Sequence, residues 1–296
     1  PFVPALSRFE EPLDLNLVFS GHGKHLDCPT LRLTNHHGLM IAGEAALSNW
    51  DAGMDMYIYG KLGNLTMTKE GINVLMTNLT GKVPPILQRL DYIRFNGEAA
   101  GYLHDLTLTG LFYTGAGMVK TDVMMSIDEQ SMSRTYSGSV ASADLDLGKL
   151  LNQEKKFGKV DFNVELKGFN YKNRYPESYI KGIISSFEYS QYQYENIMLD
   201  GVYKDGGFNG RLSMDDANGS VQIDGNFNVA KTIPDFNLKA SVKNLRPHDL
   251  HLSDKYENAS ISLGLTADFT GKSIDDMNGR ISLDSLQLNA PDEGGC

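Results

Sequence analysis

Asp161-Phe-Asn-Val-Glu-Leu-Lys-Gly168 alternates apolar and polar side chains and ends in glycine. Leu13 to Gly21, Gly219 to Gly225 and Ser262 to Gly271 follow the same pattern. Side chains of a β-strand point alternately to opposite faces, so a period of two predicts one apolar and one polar face. Repetition of this unit along 296 residues predicts an all-β fold.

The apolar positions of these segments share strand parity, whereas the residues between them are polar. The candidates for the apolar face are Leu13, Leu15, Leu17, Phe19, Phe162, Val164, Leu166, Phe236, Leu238, Leu263, Leu265 and Phe269. Such a face is covered either by a second sheet, as in a β-sandwich, or by acyl chains held in the groove of a curled single sheet. The pattern alone favours a sandwich or a barrel, because such folds are common.

One segment departs from the strand pattern. It begins with two prolines, Pro84 and Pro85, and brings Ile86, Leu90 and Ile93 onto one helical face. We expect a short helix of about two to three turns, which plugs or crosses the β structure. Just before it, the sequence predicts a hairpin tip at 69–71 and a strand over 71–76.

The domain organisation is predicted from the spacing of polar loops. No low-complexity linker occurs in the 296 residues, so we expect one continuous, elongated β domain over 1–296. The most polar loop, at 171–178, predicts a soft boundary. Both ends stop in the middle of the repeating pattern, which indicates a piece of a longer protein. We expect the exposed sheet edges of such a piece to associate end to end.

Composition and motifs exclude several classes of function. The net charge is −10 and no basic patch runs along the chain, so we expect no nucleic-acid partner. No nucleophile elbow, zinc-protease motif or phosphate-binding loop occurs. The sequence therefore predicts a protein that is not an enzyme and has no cofactor.

One group of residues has the chemistry of metal ligands. His22, His25 and Cys28 are evenly spaced, and His36 with His37 follows shortly after them. A zinc site needs a complete ligand set in a fixed geometry, and ligand types alone are weak support for one. We interpret these residues as a polar loop and expect no metal.

Several longer segments, in this order, resemble the TamB family. These proteins are the translocation and assembly module proteins of the wider AsmA-like group, here in their Bacteroidetes-type form. The segments are Val83 to Gly110, Tyr136 to Val140, Phe157 to Gly168, Ser186 to Ile197, Gly210 to Asp216 and Gly271 to Ile281. The resemblance extends over residues 80 to 290 and is weaker before them.

The resemblance implies an elongated, twisted β half-pipe, or β-taco, with an apolar groove and one or two short helices. It implies a periplasmic location in a Gram-negative bacterium. Regions outside these 296 residues would supply the inner-membrane helix and dock on an outer-membrane barrel of the TamA or BamA type. The implied function is transfer of phospholipid between the two membranes for outer-membrane biogenesis. A continuous apolar groove would shield acyl chains at about 0.8 kcal/mol per methylene.

Two other functions remain open at this stage. In the first, the β structure is a scaffold that assists outer-membrane protein assembly or translocation and holds no lipid. In the second, it is a cell-surface β-sandwich that binds glycans. Exposed aromatic side chains on one rim would favour the glycan module, whereas the aromatic residues of this chain fall mostly within predicted strands.

Overall fold

A computed structural model describes residues 12–128, 130–131, 133–170, 177–228, 231–255, 257–272 and 276–290. The all-β prediction is confirmed, because antiparallel strands account for most of these residues. The chain divides into two compact units. Unit 1 comprises Pro1–Gln130 and Tyr136–Glu154, and unit 2 comprises Ser131–Thr135 and Lys155–Cys296. The single continuous domain stays a prediction, and 171–176 of its soft boundary lie outside the described residues.

Unit 1 is an antiparallel meander. Its strands are β1 (Asp14–His22), β2 (His25–Thr34), β3 (Leu39–Ser48), β4 (Tyr57–Thr68), β5 (Tyr92–Tyr102), β6 (Asp105–Thr114), β7 (Gly117–Ile127), most of β8 (Arg134–Ala143), and β9 (Leu145–Asp146). From β1 to β7 each strand pairs with the next one in the chain. Gly138 of β8 lies against Asp122 of β7, so the meander continues there.

The described residues contain three α-helices, all in unit 1: α1 (Lys69–Thr80), α2 (Pro85–Gln88) and α3 (Leu147–Leu151). The predicted hairpin tip and strand over 69–76 are therefore wrong. The Thr68 hydroxyl accepts a hydrogen bond from the Gly71 N–H at 3.2 Å and caps the first turn of α1. Gly81, with φ of +76°, ends this helix in the left-handed conformation. None of the helices in the described residues is long and apolar enough to cross a bilayer.

The helix predicted over 84–93 is much shorter than expected. It ends at Gln88, because Tyr92 and Ile93 pair with Thr68 and Met67 in the sheet. Ile93 is thus a strand residue, and Ile86 is 50% exposed rather than packed against the sheet. Of the three predicted plug residues, only Leu90 and Ile93 are buried.

The core of unit 1 lies at one end of its sheet. Ile72 of α1, Leu90, Ile93 and Ala116 are buried together. Met76, Leu87 and Leu150 pack against this cluster from the three helices. Lys149 of α3 donates to the Asp91 carboxylate at 2.6 Å and to the Gly115 carbonyl at 2.9 Å. In the described residues the helices of unit 1 therefore cover one end of its sheet and not the rest of it.

Unit 2 is a second antiparallel meander. Its strands are β10 (Phe157–Asn170), β11 (Glu177–Tyr189), β12 (Tyr192–Lys204), β13 (Gly207–Asp216), β14 (Gly219–Asn228), β15 (Asp235–Leu245), β16 (Ser260–Thr270) and β17 (Asn278–Asn289). Each strand pairs with the next one in the chain. A loop between β15 and β16 carries Leu250, which is fully buried.

Candidate functional site

Strand register aligns apolar side chains from all eight strands of unit 2 in rows on one face. Directly paired residues of an antiparallel sheet point to the same side. The first row consists of Phe162, Ile184, Ile197, Met214, Val221, Val242, Leu263 and Leu286. The second row consists of Val164, Gly182, Leu199, Leu212, Ile223, Ala240, Leu265 and Leu283. We call this side the apolar face of unit 2.

Two further rows extend this face with glycines and aromatic rings. The third row consists of Leu166, Ile180, Gly201, Gly210, Gly225, Leu238, Ala267 and Ile281. The fourth contains Tyr203, Phe208, Phe227, Phe236 and Phe269. A Cβ on Gly201 would lie 2.5 Å from Cζ of Phe208, so the ring covers the glycine backbone. The rings of Phe236 and Phe269 stack with centroids 4.7 Å apart.

The apolar face of unit 2 remains partly open to solvent. In the first two rows only Ala240 is buried, and most of the other side chains are half-buried. Leu283 and Leu286 of β17 are 58% and 55% exposed. A second layer of structure would bury such side chains almost completely. The described part of unit 2 therefore presents a wide apolar surface that it does not cover itself.

Eight of the twelve residues selected from the sequence lie in these four rows. They are Phe162, Val164, Leu166, Phe236, Leu238, Leu263, Leu265 and Phe269. Their side chains share one face, as their common strand parity requires. The occupation of this face by lipid stays a prediction.

Unit 1 has a comparable face, which contains two of the remaining four residues. Leu15 lies in a row with Leu33, Ile41, Leu65, Phe95, Phe112 and Val119. Leu17 lies in the next row, with Leu31, Gly43, Leu62, Gly97, Gly110 and Thr121. Phe19 lies opposite a bulge in β2, where the register of the two strands shifts, and is 66% exposed. Leu13 precedes the strand. These last two residues are outside the rows.

The opposite side of unit 2 is polar and carries charges of alternating sign. One row across six strands consists of Glu165, Lys181, Asp200, Arg211, Asp224 and Lys239. The Arg211 and Asp224 side chains are 2.6 Å apart. Hydrogen bonds from Gln222 and Arg211 lower the pKa of Asp224 below its ordinary value. Each strand therefore places a charge beside its complement, which favours this register over a shifted one.

An aromatic cluster closes one end of the apolar face of unit 2. Val160, Phe187 and Tyr194 form the last row there, and both Val160 and Tyr194 are buried. The Tyr194 hydroxyl donates to the Leu250 carbonyl at 2.8 Å, which fastens the β15–β16 loop over this end. The sequence gives no sign that Leu250 is buried, because one apolar residue between Asp249 and His251 carries no periodic signal.

A second tyrosine of this cluster is held by a carboxylate. The Tyr192 hydroxyl donates to Oδ1 of Asp216 at 2.5 Å. Burial, together with this hydrogen bond, raises the pKa of Tyr192 to about 12. Asp216 also accepts the Asn218 N–H at 2.9 Å, so it shapes the turn between β13 and β14.

The residues that resemble metal ligands have separate partners. Nε2 of His25 lies 2.9 Å from the Asp27 carboxylate. The buried Cys28 thiol donates to the Thr30 carbonyl at 3.2 Å. Across the described ranges, no three histidine, cysteine or carboxylate side chains form a group that could hold a metal ion.

No protein-family model, no curated protein and no solved structure matches this chain. Membership of the TamB family therefore stays a prediction from the sequence segments. The fold alone defines the class of protein, which is an all-β chain of two antiparallel meander units, each with an apolar face.

Proposed function

We propose that the chain binds phospholipid acyl chains on its apolar face and carries them as a non-enzymatic lipid-transfer segment. The observation that supports this is the set of unbroken apolar rows across eight strands of unit 2, most of whose side chains are half-buried. Burial of apolar area is the main driving force for such binding, and it needs no particular residue at any one position.

The dimensions of the rows suit a path for acyl chains. Neighbouring strands lie about 4.8 Å apart, so a row of eight side chains runs about 34 Å across the strands. A lipid displaced by one strand meets nearly the same surface again, because each strand repeats the same parity. Movement along the rows therefore exchanges equivalent contacts and needs no chemical step.

The cellular setting of the proposal rests on the resemblance to the TamB family. On that basis the transfer runs across the periplasm, between an inner membrane and an outer-membrane barrel partner, and serves outer-membrane biogenesis. The rival function, a scaffold for outer-membrane protein assembly, uses the same fold without lipid. Lipid binding by the apolar rows separates the two.

The test places a carboxylate on either side of the sheet at neighbouring positions. Leu265→Asp introduces a charge in the second apolar row, and Thr266→Asp introduces the same charge on the exposed polar side. A carboxylate that displaces about three methylenes from contact costs about 2.4 kcal/mol of binding, or roughly fifty-fold. We expect this loss for Leu265→Asp in vesicle-to-vesicle transfer of a fluorescent phospholipid, and wild-type transfer for Thr266→Asp.

Circular dichroism and thermal melting establish whether the variants fold. If Leu265→Asp does not fold, Leu283→Asp in the same row replaces it, since that side chain is 58% exposed and its substitution costs little stability. A folded variant of either kind that transfers lipid as fast as the wild type overturns the proposal and favours the scaffold.

A further inference from the structure

A polar cleft lies beside the closed end of the apolar face of unit 2. Its volume is about 490 Å³, it is open to solvent, and it is lined by Lys155, Ser190, Gln191, His248, His251 and Asp254. These residues come from three places in the chain: the segment before β10, the β11–β12 turn and the β15–β16 loop. The function proposed above assigns no role to them.

The backbone that forms this cleft is held in uncommon conformations. Ser190 and Gln191 have φ of 49° and 65°, and His251 has φ of 55°. Nδ1 of His251 lies 2.9 Å from the Ser190 carbonyl oxygen, which identifies Nδ1 as the donor. The other ring nitrogen is thereby left for a ligand, and the bond joins the loop to the turn.

The charges that line the cleft are opposite but not paired with each other. Neither the Lys155 ammonium nor the Asp254 carboxylate makes a hydrogen bond or ion pair in the described residues. Nδ1 of His248 lies 3.6 Å from the carboxylate of Asp249, which also faces Arg246 at 3.7 Å. The cleft is therefore lined by an unpaired cation, an unpaired anion and two imidazoles.

Aromatic rings connect the cleft to the apolar face of unit 2. The centroids of His251 and Tyr192 are 5.7 Å apart, and those of Tyr192 and Tyr194 are 4.8 Å apart. Tyr194 lies in the row beside Val160 and Phe187, next to the first apolar row. Tyrosine is common where apolar and wet surroundings meet, because its ring is apolar and its hydroxyl polar.

We propose that this cleft binds the zwitterionic phosphate–amine head group of a phospholipid whose acyl chains lie on the apolar face. Lys155 holds the phosphate through a charge-assisted hydrogen bond, His248 lines the same cleft, and Asp254 and Nε2 of His251 accept hydrogen bonds from the ammonium group. The inference rests on the proposed lipid-binding function and adds a lipid class to it. A free phosphate–amine ester has the same head-group chemistry, so the test includes one.

The test compares four probes on the purified chain by calorimetry. Three are short-chain lipids with identical acyl chains: a phosphatidylethanolamine, a phosphatidic acid and a diacylglycerol. The fourth is free phosphoethanolamine. We expect the phosphatidylethanolamine to bind most tightly to the wild type. Lys155→Gln with His248→Gln should weaken it roughly tenfold and leave diacylglycerol binding unchanged.

Two further variants distinguish the roles of the charges. Asp254→Asn should remove the preference for phosphatidylethanolamine over phosphatidic acid, because phosphatidic acid has no amine for the carboxylate to bind. Lys167→Gln, which removes an exposed lysine of β10 on the polar face, is the matched control and should bind all four probes as the wild type does.

Three outcomes would overturn the inference in different ways. Equal binding of diacylglycerol and phosphatidylethanolamine to the wild type would exclude a head-group site and leave the acyl-chain proposal standing. Free phosphoethanolamine binding as tightly as the lipid would indicate a site for a soluble ester. Failure of all three lipids to bind would overturn both proposals.

Discussion

Leu250→Ala tests whether the β15–β16 loop stabilises unit 2. Leu250 is 0% exposed, and its carbonyl accepts the Tyr194 hydroxyl. Leucine-to-alanine truncation at a buried site costs about 2.7 to 5 kcal/mol, with the lower values where the surroundings collapse into the cavity. A loop relaxes more readily than a packed strand, so we expect about 3 kcal/mol. For a unit of this size that corresponds to a melting temperature lower by about 10 °C.

Differential scanning calorimetry measures the shift, and hydrogen–deuterium exchange locates it. We expect faster exchange around Tyr194 and the loop and unchanged exchange in the α1 region of unit 1. Leu252→Ala is the matched control, because this leucine lies in the same loop and is 54% exposed. Its effect should stay within about 0.5 kcal/mol. If Leu250→Ala melts within about 1 °C of the control, the loop does not stabilise this end of the sheet, and our account of the closed end is refuted.

Two further predictions concern single contacts. Gly110→Ala places a methyl group against the Phe95 ring and 2.7 Å from a backbone carbonyl oxygen, so we expect a loss of about 1 to 3 kcal/mol in denaturant unfolding. Gly60→Ala, which meets nothing within 4 Å, should be nearly neutral, and equal effects of the two would contradict this reasoning. The pKa of Tyr192 is raised from 10.0 to about 12, so its stabilising contribution is complete below pH 10 and is lost as pH rises towards 12. Tyr192→Phe should therefore lose less stability over that alkaline range, and an unchanged pH dependence would exclude this assignment.

Strand parity could be read from the sequence, because alternation is a local property. Leu263, Leu265 and Phe269 could be placed on one side of a strand without knowing its neighbours. The dipeptide Asn218-Gly219 is a local signal of the same kind, because Asn-Gly favours a tight turn, and it joins β13 to β14.

The alignment of strands into rows could not be read in this way. It depends on bulges, such as the one opposite Asp161 and Phe162, where β11 carries one more residue than β10 and the register shifts by one residue. Phe19 was selected as a face residue for its parity with Leu17, but an extra residue in β2 shifts the register there and leaves Phe19 without a paired partner. Bulges arise from the fit between neighbouring strands, and a single strand carries little trace of them.

The positions of the helices were predicted wrongly for a related reason. The α1 segment contains Ile72, Val74 and Met76, whose spacing of two suggested a strand. Ile72 and Met76 are also one helical turn apart, and both pack in the core of unit 1. Only that core distinguishes the two interpretations. The helix predicted to extend to Ile93 ends earlier, because Ile93 pairs with Met67 in the sheet.

The meander has a consequence for how unit 2 forms. Strands β11 to β16 pair with the strands immediately before and after them in the chain. Native contacts of this kind close short loops, which keeps contact order low and folding fast for a β protein. Folding can then advance hairpin by hairpin as the chain emerges during synthesis, with each completed strand serving as the template for the next. A chain extended or shortened by one hairpin would keep the same folding route.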